Sequence, residues 1–246
     1  MEFSYRRGDD DGPERWGLVR RDWAACSFGR RQSPIHLSAA AIAGGGYEHH
    51  RRPGHLLIRS YRPAAASLVN RGHDIMVRFD GDAGGVVVDG EEYTLRQMHW
   101  HSPSEHAVDG RRYDLELHML HQSEDHGGRR YAVVAQLFDI GHRRDATLDM
   151  VIDLRDVTSV SYISVAGAIY QEGGQQEEGE RGGDRRRRGS ELAGEGQRRV
   201  LQVRRVSRQQ VELLREAVHD GARRNARPMQ AANGRGVGVY YCWPNA

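Results

Sequence analysis

Irregular segments and short runs of alternating apolar and polar residues, separated by glycine-containing turns, make up residues 1–140 of the chain. Alternation with a period of two is typical of half-buried β-strands. Turn signals such as Asn70-Arg71-Gly72 and Asp89-Gly90 lie between the runs, and the second is a favoured hairpin turn. The pattern predicts strands at residues 64–69, 74–79, 85–88, 93–101, 115–121 and 131–140. Many short strands at this spacing predict a mainly β, largely antiparallel domain.

Beyond about residue 161 the alternation gives way to a polar, low-complexity composition. Residues 171–199 are rich in Gly, Glu, Gln and Arg and contain few apolar side chains. Such a segment buries too little apolar surface to offset the entropy that it would lose on ordering. We therefore expect a single domain in which this segment is either disordered or a long loop.

A helix is predicted after this segment. Ser207 and Gln210 have the spacing of a capping box. The apolar residues that follow recur on one helical face, and a stop signal lies near residues 220–221. The apolar face consists of Val211, Leu214 and Val218.

The charge balance argues against a nucleic-acid partner. The 246 residues carry a formal net charge of +2, so no general attraction to nucleic acid or to an anionic membrane is expected. The run Arg185–Arg188 lies beside acidic residues and is interpreted as part of a solvated loop. No apolar run is long enough to span a bilayer, so we expect no membrane partner. The oligomeric state stays open.

The cysteines and the N-terminus leave the compartment open. Cys26 and Cys242 lie near opposite ends of the chain and could either pair or remain free thiols. Residues 1–11 are polar and lack the apolar stretch of a signal peptide. Taken literally, the chain is predicted to be cytosolic.

Three histidines in two predicted strands suggest a metal site. In the run Gln97-Met98-His99-Trp100-His101, strand alternation places His99 and His101 on one face. His118 lies in a second strand, which could pair with the first. Three neutral nitrogens and an open fourth position are typical of a catalytic zinc site. The alternative is a set of ordinary surface or core histidines, since the chain contains 13 of them.

These motifs resemble those of a known family. Residues 97–106 (Gln-Met-His-Trp-His-Ser-Pro-Ser-Glu-His) and 116–121 (Glu-Leu-His-Met-Leu-His) are similar to the zinc-site strands of the alpha-class carbonic anhydrases, especially the plant members. The likeness covers residues 3 to about 160 and resumes from about 204 to 240. It implies a single mainly β (α+β) domain at residues 3–240, with a large, twisted, mostly antiparallel sheet and short peripheral helices. The segment at about 161–203 departs from the family and is expected to be an atypical, disordered insertion in this domain. It also implies a secreted, apoplastic or chloroplast-stromal location.

The resemblance implies reversible hydration of carbon dioxide to bicarbonate and a proton, with Zn²⁺ as the cofactor. The residues that match the zinc ligands are His99, His101 and His118. Gln97 and Glu116 match side chains that accept a hydrogen bond from a ligand ring. Asn225 matches the residue whose backbone carbonyl does the same.

Further matches concern the reaction. His73 matches the proton-shuttle histidine, and a histidine's usual pKa near 6.5 suits proton exchange near neutrality. Tyr5 matches a tyrosine of the active-site water network. Glu105 matches a glutamate that is hydrogen-bonded to a threonine hydroxyl in the family. Leu120 and Val133 fall where the family lines its apolar carbon dioxide pocket.

One family segment is absent. The family carries Gly-Ser-Leu-Thr-Thr-Pro-Pro after the second zinc strand, and one of its threonines orients the nucleophile. No Thr-Thr-Pro-Pro occurs here, and the last threonine of the chain is Thr158. This departure leaves an alternative, a catalytically weak or inactive storage or binding protein like the yam dioscorins. The presence of His118, which dioscorins tend to lose, favours the enzyme.

Overall fold

Strands dominate the described part of the chain. The structure, a computed structural model, describes residues 3–38, 56–123, 129–153, 162–164, 203–218, 223–235 and 241–243. The strands are β1 (His36–Leu37), β2 (Leu56–Tyr61), β3 (Ala65–Asn70), β4 (Ile75–Phe79), β5 (Gly84–Val88), β6 (Glu91–His101), β7 (Ala107–Val108), β8 (Arg111–Arg112), β9 (Leu115–Ser123), β10 (Arg130–Gly141), β11 (Tyr162–Ser164), β12 (Val203–Ser207) and β13 (Tyr241–Trp243).

β6 is the strand around which the main ten-stranded sheet is organised. It pairs with β4 and β5 along one edge and with β9 along the other. The sheet continues from β4 to β3 and β11, from β5 to β2 and β13, and from β9 to β10 and β12. Only the β10–β12 and β2–β13 pairs in this sheet are parallel within the described residues. The prediction of a mainly β, mostly antiparallel fold is confirmed.

The helices are short and peripheral, as expected. They are α1 (Trp16–Val19), a 3₁₀ helix (Arg21–Trp23), α2 (Ala25–Phe28), α3 (Ala146–Asp153) and α4 (Arg208–Ala217). The predicted capping box of α4 is confirmed, because the Gln210 N–H donates to Ser207 Oγ at 3.2 Å and the Ser207 N–H donates to Gln210 Oε1 at 3.1 Å. The predicted stop at 220–221 lies outside the described residues. Within the described residues, no helix is both long and apolar enough to cross a membrane.

The low-complexity segment can be compared with its prediction only at its margins. Residues 162–164 form β11 beside β3, and residue 203 begins β12. The rest of the segment predicted to be disordered lies outside the described residues. Cys26, one of the two cysteines, is a half-buried free thiol.

A β-bulge in β6 places Leu95 on the core face of the sheet and Gln97 on the face that carries His99, His101 and His118. Leu95 lies opposite His121, whereas Gln97 lies opposite Leu120, so Arg96 is the extra residue. Because His121 and Leu120 are consecutive and point to opposite faces, Leu95 and Gln97 do so as well. Leu95 therefore enters the core, where it is 1% exposed, and the residues after the bulge can present polar side chains on the other face.

The core lies between the sheet and helices α3 and α4. Met98 and Trp100 from β6 and Leu115 and Leu117 from β9 belong to one buried cluster. The helices contribute to the same cluster, together with the strand that precedes α4, through Leu148, Val151, Ile152, Val206, Val211 and Leu214. The apolar residues that alternate with the histidines thus hold β6 and β9 against the helices.

His121 is a buried histidine on the core side of β9. Its side chain is fully buried, and its Nε2 lies 3.0 Å from the hydroxyl of Tyr61 on β2. Burial lowers the pKa of His121 to about 4. Since the unfolded chain binds this proton at a pKa near 6.5, the stability that neutral His121 contributes is complete above pH 6.5 and is lost as the pH falls towards 4.

We therefore expect that, as the pH is lowered, the free energy of unfolding decreases more steeply in the native chain than in a His121→Gln variant. Between pH 6.5 and 4 the difference in slope should reach about 1.4 kcal/mol per pH unit. Urea unfolding at several pH values measures both slopes. The exposed His142 provides the control, and His142→Gln should leave the slope unchanged. Equal slopes in the native chain and His121→Gln would contradict the prediction.

Candidate metal centre

The antiparallel register of β6 and β9 brings the three predicted ligands together. His99 lies directly opposite His118, and His101 follows two residues later on the same face of β6. The ring centroids of His99, His101 and His118 are separated by 4.6 to 5.2 Å. One ring nitrogen from each histidine lies within 4.8 Å of those of the other two. Three imidazoles therefore face a common point.

Hydrogen bonds orient each of these rings through the nitrogen that points away from that point. The Nδ1–H of His99 donates to Gln97 Oε1 at 2.8 Å, and the Nδ1–H of His101 donates to the Asn225 carbonyl at 2.6 Å. The Nε2 of His118 donates to Glu116 Oε1 at 2.8 Å. A carbonyl or carboxylate can only accept, so these contacts leave a lone pair on Nε2 of His101 and on Nδ1 of His118. His99 presents Nε2 in the same way.

Burial keeps the rings in the form that binds a metal. It is the largest cause that lowers the pKa of His99, which falls to about 2, and it also lowers the pKa of His101. Both imidazoles are therefore neutral at physiological pH, as coordination requires. Moreover, the Nε2 of His101 is buried and makes no hydrogen bond within the described part of the chain. A buried nitrogen lone pair without a donor fits a metal ligand.

Glu116 is an ionised carboxylate at the base of the site. It is fully buried and accepts from His118, from His106 Nδ1 at 2.7 Å and from the His106 backbone N–H at 2.8 Å. Burial would raise the pKa of Glu116, but the hydrogen bonds from His106 and His118 outweigh it and hold the pKa well below its usual range. Burial likewise opposes protonation of His106, but its hydrogen bond and charge interaction with Glu116 raise the pKa of His106. His106 and Glu116 thus support one candidate ligand, His118.

Asn225 joins the loop after α4 to the end of β6. Besides its carbonyl contact with His101, its side chain accepts from the Ser102 N–H and donates to the Trp100 carbonyl, each at 2.8 Å. Its own N–H donates to the Ser102 carbonyl at 3.2 Å. Asn225 is therefore hydrogen-bonded to the end of β6 through both its backbone and its side chain, and it is 5% exposed. This arrangement fixes the carbonyl that orients His101.

Glu105 lies close to the point where the three rings meet. Its Oε2 is 3.8 Å from His101 Nε2, and its Oε1 accepts from the Arg227 backbone N–H at 2.9 Å. The Arg227 guanidinium is buried and donates to Gln32 and to the carbonyls of Ser33 and Cys26. Contacts with the N-terminal segment thus hold the backbone that positions the Glu105 carboxylate.

Leu120 and Val133 form an apolar strip next to His118. They are cross-strand partners on β9 and β10, and Leu120 lies two residues from His118 on the same face. Leu120 is half-buried, whereas Val133 is 52% exposed. An exposed valine of this kind offers apolar surface to a small molecule beside the histidines.

Tyr5 and His73 lie along one side of the histidine cluster. The Tyr5 ring centroid is 6.3 Å from that of His101 and 6.1 Å from that of His73. Phe3, in the N-terminal segment, packs against the β3–β4 hairpin, with its ring centroid 4.3 Å from that of His73. His73 is half-buried at the tip of the β3–β4 hairpin.

The structure thus brings together all of the residues singled out from the sequence, although they come from distant parts of the chain. It adds three supporting residues that were not assigned roles: His106, Arg227 and Phe3. The hydrogen bonds of His106 and Arg227 reach over 10 and 122 residues. No local pattern signals such contacts.

Comparisons with known proteins show the family to which the chain is similar. The family model for eukaryotic-type carbonic anhydrase matches residues 11–164. Alpha carbonic anhydrase 7 of Arabidopsis thaliana is 40% identical over 256 residues, which cover 97% of this chain and 85% of the relative. Dioscorin dioA3 of Dioscorea japonica is 37% identical, with 96% and 85% covered.

A solved structure of a dioscorin complexed with ascorbate has a TM-score of 0.72 and 34% sequence identity, and the match covers 96% of each chain. The large sheet described above is therefore shared with a known member of this group of proteins. Because the family model covers more than half of the chain and relatives above 30% identity cover nearly all of it, the chain belongs to the eukaryotic-type, alpha-class carbonic anhydrase family.

Proposed function

We propose that the protein binds Zn²⁺ through His99, His101 and His118 and catalyses the reversible hydration of carbon dioxide to bicarbonate and a proton. The observation that carries the proposal is the presentation of three ring nitrogens to one point, each ring being oriented by a hydrogen bond on its other nitrogen. Three nitrogen ligands and an open position are the donor set of catalytic zinc. Family membership supports the same reaction.

Bound zinc lowers the pKa of a water in its open position to about 7 and so supplies hydroxide near neutral pH, as is established for carbonic anhydrases. The residues of this chain prepare the site for that chemistry. Gln97, Glu116 and Asn225 hold the rings in place, so that no reorganisation of the ligands is needed during turnover. Glu105 places a carboxylate oxygen beside the site, where it can accept a hydrogen bond.

Substrate and proton use different sides of the site in this proposal. The apolar surface of Leu120 and Val133 suits carbon dioxide, which is small and has no net charge. The Tyr5 ring lies 6.3 Å from that of His101 and 6.1 Å from that of His73, and His73 can exchange a proton with buffer. The protein therefore separates an apolar entry side from a polar, aromatic exit side.

The missing threonine supports a second candidate, a zinc-binding relative with little or no turnover. No Thr-Thr-Pro-Pro occurs in the sequence, and dioscorins are among the similar proteins. Removal of a single hydrogen-bonding group that acts in the transition state costs about 10²- to 10³-fold in kcat. A chain without the family threonine can therefore keep its ligands and still turn over slowly.

Zinc binding is the first prediction of the proposal. The purified chain should bind one zinc ion per molecule, and His118→Ala should lose stoichiometric zinc because it removes one of three ligands. Elemental analysis after dialysis measures retention, and the visible spectrum of a cobalt-substituted sample reports the coordination geometry. His142→Ala is the matched control. A His118→Ala protein that keeps one zinc would refute the ligand assignment.

The buried carboxylate provides a further prediction. Glu116→Gln should weaken zinc binding by about 10- to 100-fold, because an amide orients and polarises His118 less well than a carboxylate does. Competition with a chromophoric chelator measures the affinity. The exposed Glu92, which lies on β6, provides a control of the same charge change. Equal affinities in Glu116→Gln and Glu92→Gln would contradict a supporting role for Glu116.

Turnover separates the two candidate functions. We expect the zinc-loaded chain to hydrate carbon dioxide in a stopped-flow assay with a pH indicator, and we expect a metal-binding sulfonamide to abolish this rate. His118→Ala should reduce the rate to that of buffer. A folded, zinc-loaded chain without sulfonamide-sensitive turnover would exclude the proposed activity and favour the inactive relative.

A further inference from the structure

An ion pair with a buried carboxylate closes the hairpin whose tip carries His73. Arg71 and Asp74 flank the tip residues Gly72 and His73. The Arg71 backbone N–H donates to the Asp74 carbonyl at 2.9 Å, and Arg71 Nε donates to Asp74 Oδ1 at 2.6 Å. A second guanidinium nitrogen, Nη2, donates to Asp74 Oδ2. One backbone contact and two charge-assisted contacts therefore join the residues on either side of the tip.

This ion pair allows the tip little conformational freedom. The Asp74 side chain is 2% exposed, and that of Arg71 is 33% exposed. A buried carboxylate requires a partner, and a two-pronged contact with a planar guanidinium fixes both distance and direction. Gly72 has φ +88°, a conformation that suits glycine and tightens the turn. The tip is thereby restricted to one arrangement.

Two further contacts fix the tip to its surroundings. Asn70 accepts from the Gly72 N–H at 2.8 Å and donates to the carbonyl of Ala217, at the end of α4, at 2.8 Å. On the other side, Phe3 packs against the His73 ring with an interplanar angle of 47°. The exposed Arg62–Asp82 ion pair lies at the open end of the same hairpin, away from His73.

We propose that the Arg71–Asp74 ion pair positions His73 for proton transfer. By fixing the hairpin tip, the pair holds the imidazole against Phe3 and beside Tyr5, on the side of the metal centre that contains His101. Arg71 and Asp74 are positioning residues that act through His73. The catalytic meaning of this inference rests on the proposed function, whereas the placement of the ring can be tested without it.

The test uses the zinc-loaded full chain and its Asp74→Asn, Arg71→Lys, His73→Ala and Arg62→Gln variants. Exchange of ¹⁸O between labelled carbon dioxide and water gives two rates: the interconversion of carbon dioxide with bicarbonate, and the release of labelled water, which needs a proton. Asp74→Asn should slow water release by about 10- to 100-fold, because a displaced group transfers protons poorly. Interconversion should stay unchanged, and added imidazole should restore water release.

The remaining variants calibrate this result. His73→Ala sets the rate without a shuttle, and Arg71→Lys, which keeps the charge but loses the two-pronged contact, should show a partial loss. Arg62→Gln, which removes the exposed pair, should behave like the native chain. A parallel loss of both rates in Asp74→Asn and Arg71→Lys would show a merely structural role and overturn the inference. Unchanged water release in His73→Ala or in Asp74→Asn would overturn it as well.

A nuclear Overhauser contact between the His73 and Phe3 rings measures positioning directly. It should be present in the native chain and in Arg62→Gln, and lost in Asp74→Asn. If zinc-loaded native chain shows no sulfonamide-sensitive exchange, the proposed function fails, and this contact alone decides the inference. A contact of equal strength in Asp74→Asn would then refute it.

Discussion

The register between β6 and β9 is the constraint on which the metal centre depends. It places His99 opposite His118, while the residues between the histidines point into the core. Met98 and Trp100 are nearly inaccessible to water, so a slip of the register by one residue would turn them away from the core and move the histidines to the core face instead. Hydrophobic burial on one face of the sheet therefore enforces the ligand geometry on the other.

The bulge at Arg96 allows β6 to contribute both to the core on one face and to the histidine cluster on the other. Without it, Leu95 would share a face with Gln97 and His99, and the core would lose a fully buried leucine. With it, β6 changes face once and then alternates regularly to its end. A single unpaired residue thus puts Leu95 on the same face as Met98 and Trp100, in the core, while Gln97, His99 and His101 share the other face.

Hydrogen bonds from distant segments complete the site. Asn225 orients His101 from the loop that follows α4, and the Arg227 backbone holds Glu105. The N-terminal segment contributes Phe3 and Tyr5, whose rings lie beside that of His73. The strands alone bring together the imidazoles and orient the rings of His99 and His118. The orientation of the His101 ring and of the Glu105 carboxylate depends on residues 223–235 and on the N-terminal segment.

The absence of the family threonine concerns turnover rather than assembly. The three histidines and their hydrogen-bond acceptors are all in place without it. What the missing hydroxyl would provide is orientation of the nucleophile during the reaction. In the proposed function, metal binding and turnover depend on different residues, so the first can be retained where the second is lost.

The sequence by itself determined the strands and the faces of the ligand residues, because local alternation fixes which side chains share a face of a strand. The six strands predicted from the pattern are present as β3, β4, β5, β6, β9 and β10, and the capping box of α4 was recognisable from the spacing of Ser207 and Gln210. The tertiary structure decided the contacts between segments: the bulge at Arg96, the ionised Glu116 beneath His118, and the closure of the hairpin by Asp74. These features depend on pairing and burial between residues far apart in the chain, for which local sequence carries no period or spacing.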